Sequence, residues 1–150
     1  MLIVQKYGGT SVGNTERIDA VANRVIENKK AGHDLVVVVS AMSGETNKLL
    51  EYAAYFSDTP NQREVDMLLS SGERVTSALL AIALEAKGYP AVSMSGRRAG
   101  IVTDSVHTKA RIEHIDTSGM EEELKCGKII VVAGFQGVTE SGEVSTLGRG

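Results

Sequence analysis

The sequence contains a single cysteine, Cys126, so no disulfide can form within the chain. This fits a reducing compartment, and we expect the protein to be cytoplasmic. No histidine–cysteine arrangement is visible around Cys126. We therefore predict that it is a small, semi-buried apolar residue near the end of a helix rather than a reactive thiol.

The chain also lacks an excess of positive charge and a long apolar run. Its net charge of −3 gives no support for general nucleic-acid binding, which needs a basic face. No uninterrupted apolar run reaches the roughly 18 residues that span a bilayer. Residues 1–6 become polar too soon for a signal peptide. The histidines do not have the spacing of metal ligands. We expect no nucleic-acid partner, no membrane span and no metal site built from protein side chains.

The composition, with 42% apolar and 23% charged residues in a chain of 150, is typical of one globular domain with a real core. Residues 2–6 predict a strand, apolar residues at helical spacing between 18 and 26 predict a helix, and residues 35–39 predict a strand buried on both faces. This βαβ order predicts a parallel sheet. Asn14 is a plausible N-cap of the helix, and Gly32 is a plausible first residue beyond its end.

The rest of the chain continues the alternation of helices and strands. Helices are predicted at 43–56, 62–87 and 121–126, strands at 91–94 and 128–133, weaker strands around the sheet edge at 101–103 and 110–115, and a hairpin over 138–144 with its turn at 141–142. The predicted fold class is α/β, a three-layer sandwich with a mainly parallel sheet.

Residues 6–11, KYGGTS, begin at the last residue of the first predicted strand and have the composition of a phosphate-binding loop. Glycines let a phosphate approach the backbone, and Lys6 adds the positive charge that a transferring phosphoryl group needs. The lysine precedes the glycines and no G-x-G-x-x-G follows the strand, so this is neither a Walker A motif nor a dinucleotide fingerprint. By itself the segment fits a tight turn with a surface lysine equally well.

Two further polar segments follow predicted strands, at residues 40–47 (SAMSGETN) and 134–137 (GFQG). Because ligands bind outside the carboxyl ends of strands in open α/β sheets, we expect all three segments to meet at one edge. The hydroxyl groups of Ser40, Ser43 and Thr46, at the start of a helix, suit a carboxylate ligand. For Ser43 we prefer ordinary N-capping.

Residues 70–74, SSGER, interrupt the apolar pattern of the longest predicted helix. Gly72 lowers helix stability by roughly 1 kcal/mol relative to alanine, so small residues here suggest close approach by another backbone or a ligand. Glu73 and Arg74 point about 100° apart, and we expect one of them to reach the binding edge. Glu73 can accept a hydrogen bond from a substrate ammonium group. A solvated surface pair is the alternative, which the apolar flanks disfavour.

The last residues, 145–150, form a glycine-rich stretch that contains Arg149. Arginine binds carboxylates through a bidentate fork, and the flanking glycines would let the loop close around a ligand. A disordered tail is the alternative. Because no helix or strand closes the chain, we expect it to be a fragment of a longer protein.

Taken together, these segments resemble the aspartate kinases, a group within the amino acid kinase family. Residues 6–13, KYGGTSVG, look like the opening signature of the family. The later segments follow in the family's order: residues 39–42, Thr46 and Asn47, residues 71–73, residues 134–137 and residues 146–150. The resemblance covers the whole chain, and the combination is more specific than any one segment.

The resemblance implies that ATP and L-aspartate give ADP and 4-phospho-L-aspartate, the first step of lysine, threonine and methionine biosynthesis. It assigns the ATP phosphates to Lys6, Tyr7, Gly8, Gly9 and Ser11, with Lys6 as the catalytic residue. It assigns aspartate to Ser40, Thr46, Glu73, the backbone around Phe135, and Arg149 on the α-carboxylate. Mg²⁺ would arrive with ATP. The nucleophilic carboxylate is already ionised at pH 7, so no general base is required. A homo-oligomer is expected for the full-length protein.

The chain departs from the family at its end. In the family, the Gly-Arg-Gly motif continues into Gly-Ser-Asp, and a nucleotide-binding half and, usually, regulatory ACT domains follow. Residues 1–150 are therefore expected to be the N-terminal substrate-binding part of an amino acid kinase domain, incomplete at the C-terminus and with little or no turnover alone. The alternatives are a kinase acting on glutamate, acetylglutamate or a nucleoside monophosphate, which the Tyr7, Thr10-Ser11 and 71–73 patterns disfavour, and a non-catalytic amino-acid-binding module.

Overall fold

The computed structural model of the protein describes residues 1–148, which contain eight strands and four helices. The strands of this part are β1 (Leu2–Tyr7), β2 (Asp34–Val39), β3 (Ala91–Met94), β4 (Ile101–Thr103), β5 (Ile112–Ile115), β6 (Ile129–Ala133), β7 (Gln136–Thr139) and β8 (Val144–Thr146). Its helices are α1 (Thr15–Lys30), α2 (Glu45–Phe56), α3 (Gln62–Ala86) and α4 (Ser118–Lys125). Every predicted element is present, with small differences at the ends.

The first sheet is entirely parallel and has the strand order β1-β2-β6-β3. The valine- and isoleucine-rich strands β2 and β6 lie in its centre, where Val37 is paired with Val131 and both are fully buried. Helices α1 and α3 cover one face, while Met120 and Leu124 of α4 pack on the other. This arrangement confirms the predicted α/β fold with helices on both faces of a parallel sheet.

The second sheet corrects one prediction. Strands β4 and β5 do not lie at the edge of the parallel sheet but form a mixed sheet with the order β5-β4-β7-β8. The chain turns sharply after β6 because Phe135 adopts a left-handed backbone conformation (φ 65°). As a result β7 starts a new sheet, and the short strand β4 pairs with β7. The predicted β7–β8 hairpin is confirmed, with Gly142 in its turn.

The helix ends confirm two predicted caps and contradict a third. The side chain of Asn14 accepts a hydrogen bond from the Arg17 amide at 2.8 Å, and Gly32 follows the end of α1 with φ 94°. Ser43, however, is not the N-cap of α2. That position belongs to Gly44, whose φ of 83° favours glycine, and no side chain caps the helix.

Cys126 lies at the end of α4, as predicted, but its side chain is exposed rather than semi-buried. The difference has a simple cause. Helix α4 contains no buried residue, so its last turn is open to solvent.

Helix α3 is, by length and composition alone, apolar enough to cross a membrane, since an 18-residue window in it has a mean hydropathy of 1.3. Half of that window is buried inside the protein. The inner side of the helix contacts β3, β6 and β8. A buried core helix of a soluble protein passes the same test.

Candidate functional site

The three segments that follow β1, β2 and β6 meet at one edge of the parallel sheet. Because these strands are neighbours and run in the same direction, their carboxyl ends lie side by side. A cavity of about 710 Å³ opens there. Its lining includes six residues that the sequence singled out: Lys6, Gly9, Ser40, Thr46, Glu73 and Phe135.

The loops after β1 and β2 are in direct contact at Gly9. The Ser43 amide donates to the Gly9 carbonyl oxygen at 3.1 Å. A β-carbon at Gly9 would lie 2.9 Å from the carbonyl oxygen of Ala41, closer than such atoms approach. Glycine is therefore required at position 9 by this loop contact, whatever ligand the loop binds. Gly8, in contrast, faces open space.

A second close approach places α3 against the same loop. A β-carbon at Gly72 would lie 2.8 Å from the Ala41 β-carbon. This explains why a glycine interrupts the apolar pattern of α3 and confirms the predicted close approach of another segment. This contact places the side of α3 that carries Glu73 next to the cavity.

Glu73 is the buried charged group of the cavity, while its neighbour Arg74 is exposed. The side chain of Glu73 is only 4% exposed, and its Oε2 atom has no hydrogen-bond partner among residues 1–148. Burial raises the pKa of this carboxyl from 4.5 to about 7, against a lowering effect of the backbone amides of Glu73 and Ala41. A buried carboxylate with an unused oxygen suits a cationic donor from a ligand.

The N-terminus of α2 faces the same cavity, through Gly44, Thr46 and Asn47. No side chain caps this end of the helix. The first N–H groups of a helix have no partner within it, and they carry partial positive charge. They therefore suit an anion such as a carboxylate or phosphate, and the hydroxyl of Thr46 adds a donor.

Lys6 is exposed and projects from the end of β1 into the lining of the cavity. It forms no ion pair with another residue in the described part of the chain. Its ammonium group is thus free to interact with an anionic ligand. Glu73 and Lys6 give the cavity one acidic and one basic side chain, together with the α2 N-terminus.

The far wall of the cavity is formed by Gly134 and Phe135 after β6, and by Leu147 and Gly148 after β8. The Phe135 carbonyl oxygen accepts a hydrogen bond from the Leu147 amide at 3.0 Å. A left-handed conformation in a residue other than glycine costs of order 1 kcal/mol or more. The Leu147 contact and the pairing of β7 with β8 hold Phe135 in this conformation.

The structure does not bring every predicted residue to this cavity. Tyr7 and Ser11 line a neighbouring cavity of about 380 Å³ with Arg17 and Arg24 of α1. The Tyr7 hydroxyl donates to the side chain of Gln5 at 3.1 Å. Arg149, predicted to bind a carboxylate, lies outside the described residues.

Sequence reasoning missed Asp66, a fully buried carboxylate on α3 that binds the end of β8. A signal was present in the sequence. Asp66 lies seven residues before Glu73, so both fall on the same side of the helix after two turns. An acidic residue on that side of an apolar helix is unusual enough to mark a buried polar network.

Metal-binding groups are not clustered in the described part of the chain, where no three His, Cys, Asp or Glu side chains are placed to hold an ion together. The polar groups of the cavity are a carboxylate, an ammonium group, hydroxyls and backbone amides. This set can bind a small zwitterion and an adjacent phosphate.

Comparison with known proteins finds a protein family that matches the whole chain and relatives that match nearly all of it. The profile of the amino acid kinase family matches residues 1–150. An aspartokinase from Geobacillus stearothermophilus is 58% identical over 149 residues, which are 99% of this chain and 37% of that protein. The chain thus spans little more than a third of the length of this relative.

Solved structures agree with this assignment. The crystal structure of aspartate kinase from Synechocystis matches all of this chain and 24% of its own, with a TM-score of 0.82 and 46% identity. The structure of Escherichia coli aspartokinase III in complex with aspartate and ADP also matches the whole chain, over 44% of its own, with a TM-score of 0.83. Since its identity is only 21%, this second similarity concerns the fold alone.

Proposed function

Because this chain belongs to the amino acid kinase family, we propose that it is the substrate-binding part of an aspartate kinase. The full-length enzyme transfers a phosphoryl group from ATP to the side-chain carboxylate of L-aspartate. The products are ADP and 4-phospho-L-aspartate, which opens lysine, threonine and methionine biosynthesis. The observation that carries the proposal is the cavity in which buried Glu73 lies with the uncapped α2 N-terminus. The similarity to enzymes named aspartokinase selects aspartate among the amino acids.

The amino acid is bound by groups of opposite sign. Glu73 accepts a hydrogen bond from the ammonium group, and Ser40, Thr46 and the α2 N-terminus donate to a carboxylate. The backbone around Phe135 forms the wall. Arg149 binds the α-carboxylate, a role supported by the sequence motif and by its place directly after Gly148, which lines the cavity.

The phosphoryl group is bound on the β1 side of the cavity. Lys6 stabilises the charge on the group in transfer, and the backbone of residues 7–11 lies beside the phosphates, with Tyr7, Gly8, Gly9 and Ser11 contributing. Aspartate's side-chain carboxylate is ionised at neutral pH and attacks without a general base. Mg²⁺ would arrive with ATP and would neutralise part of the charge of the phosphates.

The remaining parts of the enzyme lie in sequence beyond residue 150. These are the nucleotide-binding half of the kinase domain and regulatory domains, so residues 1–150 alone lack turnover. Two exposed apolar side chains, Leu2 and Val4 on the edge strand β1, support this view because further chain packing there would bury them. The full-length protein is a cytoplasmic homo-oligomer.

A coupled assay of ADP formation by the full-length enzyme tests the proposal. The assay contains Mg²⁺ and ATP, and it compares L-aspartate with L-glutamate and N-acetylglutamate at equal concentrations. We expect turnover with aspartate and at least about 100-fold lower kcat/KM with the other two acids. Turnover with glutamate and none with aspartate would reject the proposal. Binding of aspartate without any turnover would favour a non-catalytic binding module.

A further inference from the structure

Asp66 on α3 is a fully buried carboxylate that contacts two separate parts of the chain, the loop at residues 107–108 and Thr146. Its Oδ1 atom accepts from the Thr146 hydroxyl at 2.6 Å and from the Thr108 amide at 3.0 Å. Its Oδ2 atom accepts from the Thr146 amide at 3.0 Å and lies 2.7 Å from Nδ1 of His107. Both oxygens are therefore saturated, which is how a buried carboxylate is stabilised.

These contacts fix the end of β8 at the point where it enters the cavity. Thr146 is followed by Leu147 and Gly148, both of which line the cavity. The Thr146 carbonyl oxygen accepts from the Ala110 amide at 3.0 Å, and the Gly148 amide donates to the Ala110 carbonyl oxygen at 3.1 Å. The loop that contains His107 and Thr108 is thus joined to the same segment twice, through Asp66 and through Ala110.

Helix α3 carries both this anchor and the cavity carboxylate. Asp66 and Glu73 are two turns apart on the buried side of the helix. Between them the Ser70 carbonyl oxygen accepts from the Gln136 side chain at 2.9 Å, which joins the helix to β7 as well. A rigid helix therefore fixes the position of Glu73 relative to the cavity wall formed by residues 147–148.

We propose that Asp66 is a positioning residue for the amino-acid substrate, which sets the distance between Glu73 and the cavity wall formed by residues 147–148 through its bond to the Thr146 hydroxyl. The inference rests on the proposed function, since it supposes that Glu73 binds the ammonium group. The segment it positions contributes Leu147 and Gly148 to the lining of the cavity. Misplacing this wall by a fraction of an ångström weakens binding of the amino acid while leaving the phosphate side of the cavity in place.

Strand β8 offers a matched control for this proposal. Ser145, next to Thr146, is equally buried, but its hydroxyl lies 2.7 Å from the Thr103 hydroxyl of β4, within the second sheet. Ser145→Ala and Thr146→Val each remove one buried hydroxyl hydrogen bond from the same strand. Only the second variant changes the connection between the strand and Asp66. Thr146→Ser keeps that hydroxyl and should therefore bind aspartate as the unaltered enzyme does.

The test measures KM for aspartate, KM for ATP and kcat in the full-length enzyme for these three variants. We expect Thr146→Val to raise KM for aspartate about tenfold, with KM for ATP and kcat within about twofold of the unaltered enzyme. Thr146→Ser and Ser145→Ala should keep an ordinary KM for aspartate. Thermal unfolding midpoints of Thr146→Val and Ser145→Ala show whether their losses of stability are comparable.

The inference is overturned if Thr146→Val leaves KM for aspartate unchanged, or if Ser145→Ala raises it as much. Failure of the proposed function has a different signature, because the unaltered enzyme would then not use aspartate at all. That outcome would remove both claims together.

Discussion

Glu73 is a carboxylate whose burial raises its pKa to about 7, so near neutral pH it is only partly ionised. The cause is the loss of solvent on the inner side of α3, where few donors face its oxygens. In the unfolded chain the same group has an ordinary pKa near 4.5. The native state therefore binds this proton more tightly than the unfolded state does.

Stability should consequently fall as pH rises through this range. The contribution of Glu73 is fully present below about pH 4.5 and is lost as pH rises to about 7. We expect Glu73→Gln to gain stability relative to the unaltered protein over that interval, by up to roughly 3 kcal/mol, and to level off above it. Thermal unfolding midpoints across pH measure this. Glu51→Gln, at an exposed glutamate of α2, is the control and should show no such trend.

Binding of aspartate should release a proton from Glu73. An ammonium group next to the carboxylate favours the ionised form and lowers its pKa. Titration calorimetry of the full-length enzyme at pH 7, in two buffers with different ionisation enthalpies, measures the number of protons released. We expect a value between about 0.3 and 0.7, because a group with a pKa near 7 is about half protonated. Identical heats in both buffers would argue against contact between Glu73 and the ammonium group.

Lys6 is predicted to act on the reaction and not on folding. It is exposed and forms no ion pair with the rest of residues 1–148. We expect Lys6→Ala in the full-length enzyme to lower kcat at least about 100-fold, with an unchanged unfolding midpoint. Lys48→Ala, at an exposed lysine of α2 outside the cavity lining, is the control. An intact kcat in Lys6→Ala would refute the catalytic role.

Most of the cavity residues could be predicted because a general rule places them. Lys6 lies near the end of β1 and Ser40 directly follows the neighbouring parallel strand β2, and the carboxyl ends of such strands meet. The main partner of Asp66 could not be predicted, because Thr146 is 80 positions later in the chain. The requirement for glycine at position 9 could not be predicted either, because it arises from a contact with Ala41 in another loop.

At the scale of elements, the contact between α3 and the loop after β2 fixes the shape of the cavity. Gly72→Ala should favour the helix by about 1 kcal/mol. However, its new β-carbon would lie 2.8 Å from that of Ala41. Overpacking of this kind costs about 1–3 kcal/mol. We expect Gly72→Ala to be destabilised overall, and also to weaken aspartate binding because the loop moves.

The swap Ala41→Gly with Gly72→Ala should restore both properties, since it moves one methyl group across the same contact. Gly119→Ala is a control in α4, where a β-carbon has its nearest neighbour at 3.5 Å. This variant should be neutral or stabilised. The coupling is measured from the thermal unfolding midpoints and the aspartate KM values of the unaltered enzyme, Ala41→Gly, Gly72→Ala and the double variant. A double variant as impaired as Gly72→Ala would show that the contact is not the cause.

The elements themselves could be predicted from periodicity, whereas their partners could not. The apolar runs of β2 and β6 and the helical spacing in α1 and α3 are local signals. The second sheet depends instead on the left-handed turn at Phe135, which the sequence does not signal because the residue is not a glycine. Similarly, Gly44 and not Ser43 is the N-cap of α2, because Gly44 adopts a left-handed backbone conformation.

At the scale of the whole molecule, the chain spans little more than a third of its relatives and provides one side of the proposed site. The described cavity contains Glu73, which suits an amino acid, and Lys6, which suits a phosphate. The adenosine part of ATP is proposed to bind to the remainder of the enzyme. The central claim is therefore that the group phosphorylated on this side is the side-chain carboxylate of aspartate.

Trapping of the product with hydroxylamine measures this claim most directly, since an acyl phosphate is converted to a stable hydroxamate. The full-length enzyme is incubated with Mg²⁺, ATP and an equimolar mixture of aspartate, glutamate and N-acetylglutamate, and the hydroxamates are identified by mass spectrometry. We expect the hydroxamate of the aspartate side chain to be the main product, dependent on ATP and lost in Lys6→Ala. A hydroxamate of glutamate or N-acetylglutamate in its place, or none at all, would contradict the claim.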